Sequence, residues 1–120
     1  MDQIMEKTLK AFTRNLPDNP DSYFQILNST ESSLMRSGLV TLKSGESVGE
    51  HSTSDYEEML IILNGSGTVE INNGESFLKV EKGQIAYIPP GTVHNVTNNN
   101  ISSLRYIYVV SKAEKYNVIR

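Results

Sequence analysis

Short runs rich in Ile, Val, Leu and Tyr alternate along the chain with clusters of Gly, Asn and Pro, a rhythm that predicts many short strands joined by tight turns. The strands are expected near residues 23–27, 34–42, 47–51, 57–63, 68–71, 76–80, 84–88, 93–97 and 102–110, with turn signals at 64–67 (NGSG), 72–75 (NNGE), 81–83 (EKG), 89–91 (PPG) and 98–100 (NNN). Strands this short and this numerous predict an all-β sandwich or small antiparallel barrel. On the 57–63 run a period of two puts Glu58 on one face with Leu60 and Ile62, opposite Met59, Ile61 and Leu63. A carboxylate on an apolar, inward face is costly unless it is paired or bound to a metal, so Glu58 is a candidate for chemistry.

Only the start of the chain has a different period. Met5, Leu9, Phe12 and Leu16 are spaced to line one side of a helix stopped by Pro17, which predicts a short amphipathic helix packed on the barrel. The expected organisation is an N-terminal segment over 1–22, a barrel over 23–110 and an extension over 111–120.

Composition narrows what such a barrel can do. The 120 residues suit one domain, and the 38% hydrophobic and 21% charged fractions are those of a soluble globular protein. No apolar run approaches the length of a membrane-spanning helix, and the charged start lacks a secretory apolar core, so the cytoplasm is the expected location. A net charge of −3 without a basic stripe argues against nucleic acid as a partner. The absence of cysteine rules out thiolate ligands, so any metal must be held by nitrogen and oxygen.

The chain has 2 histidines, and both stand beside turn signals: His51 ends a strand that follows Gly45, and His94 follows the Pro-Pro-Gly corner. With Glu58 they offer two imidazoles and a carboxylate. The spacing of these residues resembles the cupin family. Its first motif, G(X)5HXH(X)3,4E(X)6G, is met by Gly45, His51, Glu58 and Gly65, and its second, G(X)5PXG(X)2H(X)3N, by Gly83, Pro89, Gly91, His94 and Asn98. Gly65, Gly83, Gly91 and Pro89 also have plain structural jobs in tight turns and a corner.

The resemblance implies a cupin or jelly-roll barrel with a divalent metal ion, Fe, Mn, Ni, Co or Zn, held in the lumen by His51, Glu58 and His94. Thr53 occupies the position of the family's second histidine. Either three ligands keep the metal and leave positions open for water or substrate, or the loss of one imidazole leaves a weakly metallated or metal-free pocket. The first case predicts a metal-dependent enzyme acting on a small oxygenated molecule, of isomerase, epimerase or dioxygenase type. The second predicts a non-catalytic barrel that binds or senses a small ligand. Asp55, Tyr56, Glu57, Tyr87, Arg105, Tyr106 and Tyr108 are candidates for the mouth of the site, with acid and base unassigned. Open sheet edges and the N-terminal apolar stripe further predict a homodimer.

Overall fold

The structure, a computed structural model, describes residues 7–18, 21–115 and 117–119. Among the described residues nine strands follow one another: β1 (Tyr23–Leu27), β2 (Met35–Leu42), β3 (His51–Ser52), β4 (Tyr56–Asn64), β5 (Ser66–Ile71), β6 (Ser76–Glu81), β7 (Ile85–Ile88), β8 (Val93–Thr97) and β9 (Leu104–Lys112). They form a five-stranded sheet in the order β1-β2-β9-β4-β7 and a four-stranded sheet in the order β3-β8-β5-β6, with every pairing antiparallel. Every run expected to be a strand is one, although the third is shorter than expected. Its start is reduced to a single bridge between Ser47 and Thr97, and regular pairing resumes at His51.

The alternation read on β4 is the alternation observed: Glu58, Leu60 and Ile62 are buried, while Met59 is exposed. The inward residues pack with Leu42, Val69, Val80, Ala86, Ile88, Val96, Leu104 and Tyr106, so the core lies between the two sheets. Burial of such side chains stabilises the barrel by roughly 1.5–3 kcal/mol each. The turn glycines are used as expected: Gly65, Gly83 and Gly91 have φ of 79°, 88° and 65°, in the left-handed region that favours glycine. At Gly65 a side chain would in addition run into the Ser103 carbonyl oxygen.

The N-terminal helix is not formed. Residues 7–17 have no regular secondary structure, and Met5 lies outside the described residues. Leu9, Phe12 and Leu16 are 48%, 42% and 40% exposed, so no apolar stripe is buried to offset the cost of helix nucleation. Polar anchors hold the segment instead. Lys7 Nζ donates to the carbonyls of Ser29, Ser32 and Ser33, and Arg14 makes a two-pronged pair with Glu31 (3.0 and 2.7 Å) and donates to the Ile26 carbonyl. No helix among the described residues is long and apolar enough to cross a membrane.

Candidate metal centre

The two sheets meet over the candidate residues. His51 on β3 is paired directly with His94 on β8, and their rings stand 4.1 Å apart at 60°. Glu58 reaches the same place from the five-stranded sheet, its Oε1 lying 2.9 Å from His94 Nε2. One potential ligand atom from each of the three residues falls within 4.8 Å of the others. Glu58 and His94 are buried and His51 is exposed, so the cluster has a closed side and an open one.

Backbone carbonyls fix which nitrogen each ring presents. His94 Nδ1 is 3.1 Å from the Thr92 carbonyl and His51 Nδ1 is 3.0 Å from the Gly49 carbonyl. A carbonyl only accepts, so both Nδ1 atoms carry the proton, and a neutral ring then turns the Nε2 lone pair to the site. For His94 this sets a lone pair against a carboxylate oxygen, and buried Nε2 has no aligned hydrogen-bond partner. Two facing lone pairs repel unless a cation sits with them, either a proton or a metal ion. Burial on its own would lower the pKa of His94, but the Glu58 carboxylate and the Thr92 carbonyl outweigh it and leave a net rise above 6.5. The donor set of two imidazoles and one carboxylate fits a divalent transition metal.

Thr53 is buried beside this cluster with its hydroxyl already engaged. Its Oγ1 donates to the Pro89 carbonyl at 2.8 Å and accepts from the Thr92 N–H at 3.0 Å, while its own N–H donates to the Thr92 carbonyl at 3.1 Å. That carbonyl is the one that orients His94, so Thr53 staples the corner behind the ligand. Asn98, the last residue of the second motif, is structural in the same sense. It is fully buried, and its Nδ2 donates to the carbonyls of Leu42 and Ser102.

A cavity of about 710 Å³ opens onto the cluster and is lined by His51, Thr53, Glu58 and residues from β1, β2, β4, β8 and β9. Of the candidates for its mouth, Tyr56, Tyr106 and Tyr108 line it, and Asp55, Glu57, Tyr87 and Arg105 do not. Tyr87 lies on the other face of its sheet and donates to Glu57 at 2.7 Å, Asp55 is 3.8 Å from Lys112, and Arg105 donates to the Pro17 carbonyl. Burial, with Glu58 nearby, pushes the pKa values of the Tyr106 and Tyr108 phenols upward. Arg36 and Tyr23 also line the cavity and were not foreseen. The alternation on β2 was available, but which of its faces looks inward depends on pairing between the second strand and the last.

The family model described as Cupin domain matches residues 38–110. The chain belongs to the cupin family. A Cupin 2 conserved barrel domain protein from Salinispora arenicola aligns over 87% of this chain and 92% of its own, with a TM-score of 0.69 and 21% identity. An RmlC-like cupin with a double-stranded β-helix fold from Methanocaldococcus jannaschii covers 82% of this chain and 87% of its own, with a TM-score of 0.68 and 18% identity. At these identities the likeness shows the fold. Among curated proteins, mannose-1-phosphate guanylyltransferase RfbM of Salmonella typhimurium is 28% identical over 92 residues, which span 77% of this chain but 18% of that enzyme.

Proposed function

We propose that this cupin binds one divalent ion, Fe, Mn, Ni, Co or Zn, through His51, Glu58 and His94, and that it is a cytoplasmic enzyme acting on a small oxygenated molecule in the adjoining cavity. The observation that carries the reading is the His94 Nε2 lone pair held against Glu58 with Nδ1 already committed to Thr92. An ion held by three protein donors supplies Lewis acidity and open positions for substrate oxygens, which suits isomerase, epimerase or dioxygenase chemistry. The chain's own part is to orient both imidazoles from backbone carbonyls and to offer the Tyr106 and Tyr108 phenols, kept protonated, as hydrogen-bond donors to a ligand. A non-catalytic ligand-binding or sensor barrel, weakly metallated or metal-free, is the second reading; Thr53, a poor ligand whose hydroxyl is spent on the corner, favours it.

Metal content by mass spectrometry after reconstitution with each of the five ions separates the two. One equivalent in the wild type and none in His94→Ala, with circular dichroism unchanged, supports the metal site. A wild type that stays empty leaves the binding barrel, and equal loading of both proteins puts the metal elsewhere.

The homodimer also belongs to this reading. The outer face of the five-stranded sheet carries two adjoining apolar rungs, Ile85–Ile61–Ile107 and Tyr87–Met59–Val109. Ile85 and Tyr87 are 59% and 52% exposed, which suits cover by a second copy. Light scattering should give twice 13.4 kDa for the wild type and 13.4 kDa for Ile85→Asp; a monomeric wild type rejects the dimer.

A further inference from the structure

Arg36 is a cation at the cavity wall with no acidic partner among the described residues. On β2 it stands opposite Val110 of β9, which stands opposite Glu58 of β4. Directly paired residues project to the same side of a sheet, and Val110 and Glu58 are buried toward the lumen, so Arg36 belongs to the lumen face. Two strand spacings, about 9–10 Å, separate its backbone from that of Glu58. Its guanidinium carbon sits 4.8 Å from the centre of the Tyr56 ring, which holds the charge at the cavity. The ion pairs among the described residues are Arg14–Glu31, His94–Glu58 and Lys112–Asp55, and none involves Arg36.

The next rung adds neutral donors. Gly38 is opposite Tyr108, and a β-carbon on Gly38 would stand 2.5 Å from Tyr108 Cε2 and 2.7 Å from the Tyr23 hydroxyl. The missing side chain is thus the space in which the two tyrosines meet, their hydroxyls 2.6 Å apart. Two hydroxyls that share one hydrogen bond keep one O–H for a third atom. A guanidinium and a spare O–H on adjoining rungs match the oxygens of an anion. The lining also contains Glu46 and Glu58 and no lysine or second arginine, a balance that suits the single charge of a carboxylate better than a phosphate dianion.

We propose that Arg36 is the anion anchor of the cavity and that its ligand is a small carboxylate, received by Arg36 and the Tyr23–Tyr108 hydroxyls, with a second oxygen function turned toward His51, Glu58 and His94. The placement of the second end rests on the metal reading above, whereas the anchor does not. A cation beside Glu58 would also remove a repulsion, so metal loading should tighten carboxylate binding.

Calorimetric titration of the full chain with glycolate, 3-hydroxypropionate and 4-hydroxybutyrate tests the anchor, with 3-hydroxypropionamide as the neutral isostere and inorganic phosphate as the competing anion. Each is run on chelator-treated and manganese-loaded protein. At least one hydroxy acid should bind the wild type, bind Arg36→Gln at least tenfold more weakly and recover partly in Arg36→Lys, with manganese content equal in all three. The amide and phosphate should bind more weakly than the best hydroxy acid. The anchor is overturned if no hydroxy acid saturates the wild type below about 10 mM, if Arg36→Gln binds as well as wild type, or if the amide or phosphate matches the best acid. Should the wild type take up neither manganese nor any of the other four ions, the metal reading fails, and Arg36-dependent binding to the metal-free protein still establishes the anchor.

Discussion

The two faces of the five-stranded sheet are made by neighbouring residues and are finished differently. Along β4, Glu58, Leu60 and Ile62 are 7%, 0% and 2% exposed, whereas Met59 between them is 37% exposed. The inner face buries polar groups and must satisfy them without water, which is why a lone pair and a carboxylate brought together at His94 and Glu58 call for a cation. The outer face has the opposite imbalance, apolar groups left toward solvent, and it is uneven. On β2 its residues Ser37, Leu39 and Thr41 are buried, and Arg105, opposite Thr41, donates to the Pro17 carbonyl of the N-terminal segment. On β4 and β7 the same face is open at Met59, Ile85 and Tyr87. On this sheet the inward carboxylate of Glu58 lies at the candidate site, and an outward apolar residue marks a surface where only a partner would change its environment.

The sharpest way to break this contrast is to truncate adjacent residues. Leu60→Ala removes a fully buried side chain and should cost about 2–5 kcal/mol, while Met59→Ala at high dilution should stay within about 1 kcal/mol. Chemical denaturation of both variants checks it, and equal losses would mean that the outer face is covered as thoroughly as the inner one.

A smaller effect is expected at Thr53. Thr53→Val keeps the shape but leaves the Thr92 N–H without its hydroxyl acceptor, at a cost of about 1–3 kcal/mol. Because the Thr92 carbonyl orients His94, metal affinity should fall by about 10–100-fold, and Thr53→Ser should restore most of it. Full affinity in Thr53→Val would show that the corner holds without the staple.

These contrasts also show what was legible in the chain. Period-two alternation and turn chemistry are local, so the strands, the inward face of Glu58 and the left-handed glycines could be read directly. That His51, Glu58 and His94 would come together was legible because His51 and His94 are the only imidazoles in the sequence and stand at fixed distances from turn residues. Arg36 was not, because its meaning comes from sharing a rung with Glu58, a register set by β9 lying between β2 and β4. The N-terminal stripe misled for a related reason. Spacing describes what a helix would bury but not whether a surface is there to receive it, and Lys7 and Arg14 fasten the segment through backbone carbonyls and one carboxylate instead.

The smallest effect concerns that fastening. Hydrogen bonds from Arg14 and from the Asn28 N–H, with the Arg14 charge beside it, hold the Glu31 carboxyl at about 2, below its ordinary 4.5. A depressed carboxyl pKa stabilises the folded form above the ordinary value, and that contribution is lost as pH falls from 4.5 toward 2. The pair is solvent-exposed, so global stability should hardly register it. Local opening should. NMR order parameters across residues 8–16 are expected to fall below pH 4.5, and to be already low at neutral pH in Glu31→Gln. Order parameters around Met59 on β4, which the described hydrogen bonds of the segment do not reach, should not change. Order parameters of residues 8–16 that are the same at pH 3 and pH 7 would mean that Lys7 on its three carbonyls and Arg14 on the Ile26 carbonyl hold the segment without the Glu31 carboxylate.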